Sequence, residues 1–175
     1  VLHFAENLVI KNNNSLVLIG QRARFANQNL GWIEFGKEIE GISKTKVFEF
    51  KKLIYRPTLE QAEGYLKDDN FAWNPGYFVT TPSFLLSQFK KFTPELYSGL
   101  MKIKDEKTLE SIYPTLEKIS FDNAILEKIE SKYVSVIAAD LGWSDVGAWE
   151  ALKEALEVTS AENVTKGKVI VNDSS

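Results

Sequence analysis

The sequence predicts an α/β fold with a mixed, mostly parallel sheet. Short apolar segments alternate with stretches of helical length, and 44% of the 175 residues are hydrophobic, which is enough for a sizeable core. The segment 15–20 is apolar almost throughout. Such a run is typical of a strand buried on both faces, as in a parallel sheet. Strands that alternate with helices favour the same class of fold.

Helices are predicted where capping signals precede segments with helical spacing. Thr58 is followed three residues later by Gln61, which is the capping-box pattern, and Thr81 precedes Pro82 at a first helical position. Three asparagines at 12–14 end the first helix. The helices are predicted over about 4–11, 58–67, 83–92, 94–101, 107–112, 121–129 and 145–156.

Strands are predicted over apolar or aromatic segments that turn residues bound. They are 15–20, 31–36, 45–55 (as one strand or two), 71–80, 134–138 and 169–171. Pro75 and Gly76 are expected to break the fourth of these in its middle. Because α/β sheets bind ligands at the carboxyl ends of their strands, the loops after 20, within 71–80 and over 138–149 are expected to carry the site.

Composition and charge exclude several classes of protein. A net charge of −3 leaves no basic excess for a nucleic-acid backbone. The absence of cysteine excludes disulfides, zinc–thiolate sites and a cysteine nucleophile, and the only histidine, His3, excludes a histidine-based triad. No apolar run is long enough to span a bilayer. A cytoplasmic protein with no nucleic-acid or membrane partner is therefore expected.

The strongest candidate site is the segment 140–149, where two carboxylates, two glycines and two tryptophans lie between a predicted strand and a predicted helix. Asp145 has two interpretations. It could be the N-cap of the helix, a role that Ser144 could also take. It could instead be a metal ligand or an acid that binds a ribose. The residues alone leave both interpretations open.

Asn74 lies inside an aromatic segment and also has two interpretations. It could bind a ligand hydroxyl, or it could form a turn with Pro75 and Gly76. Asp122 precedes an apolar helix and is predicted to be its cap. Arg56 places a cation at a strand end, where solvation is the ordinary interpretation.

Four segments, in this order along the chain, resemble mannose-1-phosphate guanylyltransferases of the sugar-1-phosphate nucleotidyltransferase superfamily. The family's Tyr-Gly-Tyr-Ile-Glu is similar to 30–34, and its Trp-Asn-Ser-Gly-Met-Phe to 73–78. Its Asp-Tyr-Ala-Val-Met-Glu-Lys is similar to 122–128, and its Trp-Ser-Asp-Val-Gly-Ser-Trp to 143–149. The match runs over nearly the whole chain, and the last motif separates this family from thymidylyl- and uridylyltransferases.

The resemblance implies a Rossmann-like nucleotidyltransferase domain whose N-terminal part is missing. Residues 1–165 would be the C-terminal portion of that domain, and 166–175 the start of a connection to a downstream domain. The implied reaction joins mannose 1-phosphate and GTP into GDP-mannose and pyrophosphate, with Mg²⁺ as cofactor. The family's nucleotide-binding loop and a second metal-binding aspartate would precede Val1, so the isolated chain is expected to be inactive. The oligomeric state is left open, with a homodimer as the candidate.

The resemblance also assigns roles to residues. Asp145 would be catalytic by holding Mg²⁺, while Asn74 and Gly31 would contact the sugar. The family's Glu-Lys-Pro stands here as Tyr55, Arg56 and proline. Arg56 can keep a phosphate contact with different geometry, but Tyr55 cannot replace the two acceptors of a carboxylate. This departure leaves the sugar undetermined and keeps an alternative: a non-catalytic relative that binds sugar phosphate or regulates a true enzyme.

Overall fold

The structure, a computed structural model, describes residues 1–42 and 45–147, together with positions 152, 153, 156 and 168. The chain divides into two compact units, Val1–Asp140 and Leu141–Ser175. The strands are β1 (Leu16–Gln21), β2 (Gly31–Ile42), β3 (Thr45–Ile54), β4 (Phe71–Thr80) and β5 (Val134–Ala139). The α-helices are α1 (Leu2–Lys11), α2 (Leu59–Leu66), α3 (Pro82–Phe92), α4 (Pro94–Met101) and α5 (Glu106–Ile112). Shorter helical turns cover Tyr113–Thr115, Asp122–Leu126 and Ser131–Tyr133.

The strands form one mixed sheet in the order β1-β4-β2-β3-β5, and β5 pairs with β1 to close it into a barrel. The α/β class is confirmed, but the prediction of a mostly parallel sheet is wrong. In the described part of the chain only β1 and β5 run parallel, and the other pairings are antiparallel. The physical reason is visible at β2 and β3, where Ile42 pairs with Thr45. So short a connection can join only antiparallel strands.

The core includes residues from both faces of β1. Every residue of β1 is buried, as its apolar sequence predicts. The third strand buries only Val47, Phe50 and Leu53, because its other face remains in contact with water. The central core cluster contains Leu16, Leu18, Ile33, Phe35, Phe50, Leu53, Ala72, Phe84, Leu126, Ile129, Val134 and Val136.

The capping signals position the helices as predicted. The Thr58 hydroxyl accepts a hydrogen bond from the Gln61 N–H at 3.3 Å, and the Gln61 side chain accepts one from the Thr58 N–H at 2.9 Å. Thr81 caps α3, which begins at Pro82. These local bonds satisfy N–H groups that have no partner inside their own helix, so the helix starts are set by sequence. No described helix is long and apolar enough to cross a membrane.

The second unit is described only in part. Gly142 adopts a left-handed backbone with φ of 64°, a conformation that favours glycine. A turn follows at residues 146–147. Half of the helix predicted over 145–156 lies outside the described residues; positions 152, 153 and 156 are helical, whereas 145–147 are not. The strand predicted over 169–171 and the domain boundary predicted at 165 also lie outside the described residues.

Candidate functional site

The residues that were predicted to bind the substrate lie together at one end of the strands, which is called the site edge below. Gly31 opens β2 and pairs with Asn74 of β4. Ile54 ends β3 and pairs with Trp32. Because Tyr55 follows Ile54 while Gly31 precedes Trp32, Tyr55 lies at the same end of the strands as Gly31 and Asn74. Three of the four predicted substrate residues are therefore placed at the site edge by strand register, and the fourth follows Tyr55 directly.

The carboxyl ends of the parallel strands β1 and β5 lie at this same end of the sheet. Gln21 ends β1, and it pairs with Trp73 of β4 on one side and with Ala139 of β5 on the other. Its side chain is fully buried, and Nε2 donates to the Arg22 carbonyl at 2.9 Å and to Oδ1 of Asp140 at 3.0 Å. The sequence gives no sign of this contact, because the two residues lie far apart in the chain.

Asn74 lies in a bulged part of β4. The strand continues past Pro75 and Gly76, so the predicted break is wrong. The β1–β4 register shifts opposite this segment, and a bulge accommodates a proline that cannot donate to the ladder. Gly76 has φ of 78°, and its N–H donates to Oδ1 of Asn74 at 3.1 Å. The Asn74 side chain thus makes a hydrogen bond of the turn type, although residues 74–76 remain part of β4.

The other end of the Asn74 carboxamide is held by Asp122. Its Nδ2 donates to Oδ1 of Asp122 at 2.8 Å. The predicted capping role of Asp122 is wrong, because the Asn123 N–H donates to the Ser120 hydroxyl instead, at 3.2 Å. The predicted helix over 121–129 is a π-helix of five residues, Asp122–Leu126. Burial raises the pKa of Asp122, although the hydrogen bond from Asn74 acts in the opposite direction.

Gly31 faces the side chain of Asn74 directly. A Cβ atom added at Gly31 would lie 3.4 Å from Cβ of Asn74 and 3.5 Å from its Nδ2. The glycine therefore leaves the space beside the carboxamide unfilled. This is the geometry expected where a backbone and a ligand approach each other closely.

Tyr55 and Arg56 contact each other at the end of β3. The Tyr55 ring is partly buried and packs against the core cluster. The guanidinium carbon of Arg56 lies 5.3 Å from the centre of that ring, and Arg56 has a left-handed φ of 49°. A non-glycine residue in this conformation is strained, and such strain concentrates at functional sites. A second cation, Arg24, lies 5.2 Å from the centre of a Trp73 ring.

Asp145 belongs to the second unit. The residue is exposed and directly precedes the turn at residues 146–147. An exposed carboxylate offers the hard oxygen ligand that Mg²⁺ prefers. Among the residues that the structure describes, no three His, Cys, Asp or Glu side chains form a group that could hold a metal.

Comparison with known families gives the class of protein to which this mixed α/β sheet belongs. The nucleotidyl transferase family model matches residues 3–162. The chain belongs to this family. The predicted membership of a nucleotidyltransferase family is thereby confirmed.

Individual relatives narrow the resemblance further. Mannose-1-phosphate guanylyltransferase 2 of Escherichia coli O157:H7 is 29% identical over 94% of the chain and 36% of its own length. Mannose-1-phosphate guanylyltransferase ManC of Salmonella typhimurium is 29% identical over 89% of the chain and 34% of its own length. The chain thus spans about a third of the length of these curated relatives.

The fold is shared with a solved structure. The crystal structure of mannose-1-phosphate geranyltransferase from Thermus thermophilus superposes with a TM-score of 0.77 and 26% sequence identity. The alignment covers 95% of this chain and 48% of that one. The fold of this chain is therefore shared with part of a structure that is known from experiment.

Proposed function

We propose that the intact protein transfers a guanylyl group from GTP to mannose 1-phosphate and so forms GDP-mannose and pyrophosphate. The pairing of Gly31 with Asn74 at the site edge carries the proposal, because these are the two residues that the family resemblance assigns to the sugar. The names of the relatives that match most of the chain support the same substrates.

The reaction needs no covalent intermediate with the protein. A phosphate oxygen of mannose 1-phosphate attacks the α-phosphorus of GTP, and the bond to the leaving pyrophosphate breaks. Catalysis then depends on positioning and on neutralising charge. In this proposal the Asn74 carboxamide orients the sugar hydroxyls, and Arg56 contacts the sugar phosphate. Asp145 would hold Mg²⁺, which supplies charge neutralisation at the phosphates.

The metal assignment is tested by Asp145→Asn in the intact protein. The substitution removes the charge of the ligand while keeping its shape, so Mg²⁺-dependent formation of pyrophosphate should fall to background. Asp69→Asn, which makes the same change on an exposed turn, is the matched control and should leave turnover unchanged. Full turnover in the Asp145→Asn variant would refute the role of Asp145 in binding the metal.

A non-catalytic role is the second candidate, and Tyr55 favours it. The ring packs against the core cluster at the position where the family resemblance expects a carboxylate. Assays of the intact protein with GTP and several sugar 1-phosphates separate the candidates. Turnover that is fastest with mannose 1-phosphate supports the enzyme, whereas binding of sugar phosphate without turnover supports the non-catalytic relative. The cytoplasmic location and the candidate homodimer stay predictions.

A further inference from the structure

Both ends of the Asn74 carboxamide are engaged by groups of opposite hydrogen-bonding character. The Gly76 N–H can only donate, and it lies 3.1 Å from Oδ1. The Oδ1 atom of Asp122 accepts from Nδ2 at a distance of 2.8 Å. If the carboxamide were rotated by 180°, its NH₂ group would face the Gly76 N–H, and its oxygen would face Oδ1 of Asp122. The two contacts together therefore select one orientation of the amide.

The carboxylate that selects this orientation is itself held firmly by packing. Asp122 opens the five-residue π-helix, a rare element that is frequent at functional sites. Phe121, its neighbour, stacks on Phe78 with ring centres 4.8 Å apart and planes at 16°. The apolar residues Ala124–Leu126 are buried. Because Phe78 and Asn74 share β4, the same packing fixes Asp122 relative to Asn74.

We propose that Asp122 is a positioning residue of the sugar subsite and acts through Asn74. A carboxamide has two donor hydrogens and two acceptor lone pairs, of which the described contacts use one each. The remaining donor and acceptor are then presented to a sugar hydroxyl in a fixed direction, beside the space that Gly31 leaves unfilled. The proposal rests on the proposed function, because it takes the ligand at the site edge to be a sugar 1-phosphate.

A double-mutant cycle in the intact protein tests this coupling. Asp122→Ala should raise the KM for mannose 1-phosphate about tenfold, the loss expected for a hydrogen bond to a charged group. The KM for GTP should stay unchanged. Asn74→Ala should raise the sugar KM similarly, and adding Asp122→Ala to it should cost little more, since the two residues act as one unit. Asp69→Ala, on an exposed turn, is the matched control.

A conservative variant separates positioning from a general role in folding. Asp122→Asn should recover most of the sugar affinity, because the oxygen of the new amide can accept the same hydrogen bond from Nδ2 of Asn74. If Asp122→Ala does not fold, Asp122→Glu decides the question, since it keeps the charge but displaces the carboxylate by one methylene. A raised sugar KM in that variant supports positioning, and an unchanged one overturns it.

The remaining outcomes distinguish this proposal from the proposed function. Fully additive losses in the cycle, or equal rises in both KM values, would overturn the positioning role. Calorimetric titration with mannose 1-phosphate needs no turnover. If the unaltered protein binds the sugar phosphate without turnover, the enzymatic function fails, and weaker binding by Asp122→Ala still supports positioning. No binding by the unaltered protein overturns both.

Discussion

Gly31→Ala should separate folding from sugar binding. Gly31 lies in a regular strand pairing with Asn74, and its φ is outside the left-handed region. The added methyl would meet Cβ of Asn74 at 3.4 Å, with Nδ2 next at 3.5 Å. These are close but tolerable van der Waals distances. The backbone therefore accepts alanine, while the methyl occupies the space beside the carboxamide.

The expected magnitudes follow from that geometry. Replacing glycine by alanine at an unstrained position stabilises a protein by about 0.4–1 kcal/mol, because the unfolded chain loses freedom. The close contact offsets part of this gain, so the free energy of unfolding should change by less than about 1 kcal/mol. Displacement of the sugar by the methyl should lower kcat/KM for mannose 1-phosphate by about tenfold to a hundredfold.

Gly20→Ala is the matched control for a folding defect. Its added Cβ would lie 2.9 Å from Cβ of Ala72, an atom that can move only with its backbone. Overpacking of this kind costs about 1–3 kcal/mol. Urea unfolding and steady-state kinetics should therefore show a stable, poorly active Gly31→Ala variant and a destabilised Gly20→Ala variant. A Gly31→Ala variant with normal sugar KM, or one destabilised as much as Gly20→Ala, would refute the reasoning.

Two further predictions concern stability. The hydrogen bonds from Lys132 and Lys91 lower the pKa of Glu130 from its ordinary 4.5 to about 2. The stabilisation from Glu130 is therefore complete above pH 4.5 and is lost as the pH falls through 2. Glu130→Gln should flatten the decline of Tm across that window, and an unaltered decline would contradict the assignment. Thr58→Ala breaks the capping box of α2 and should cost about 1 kcal/mol in urea unfolding; no loss would show that the cap contributes nothing.

The sequence predicts best those elements whose causes are local. The starts of α2 and α3 follow from a threonine with its partner three residues on, or with a proline next to it. The burial of β1 follows from its apolar composition. In each case the residues that determine the structure lie within one turn or one strand of each other, so the printed order of residues contains the cause.

Strand direction is mispredicted because it depends on which strands meet. Alternating helices and strands favour a parallel sheet only if each helix returns the chain to the same end. Here β2 connects to β3 as a hairpin, and β4 inserts between β1 and β2. Nothing within a single segment marks that insertion. This pairing places Gly31, Asn74 and Tyr55 at the same end of the strands. The sequence alone therefore indicates these residues but not that they lie close together.

The contact between Asn74 and Asp122 shows why two local interpretations of one residue can both hold. From the sequence, the turn and the ligand contact compete, as if the side chain could serve only one. In the structure Oδ1 accepts from the Gly76 N–H within the bulge, while Nδ2 donates to Asp122, 48 residues later in the chain. A carboxamide has further hydrogen-bonding capacity at both atoms. The hydrogen bond to Gly76 therefore leaves the side chain with capacity for a ligand, and the binding role that the family resemblance implies for Asn74 stays a prediction.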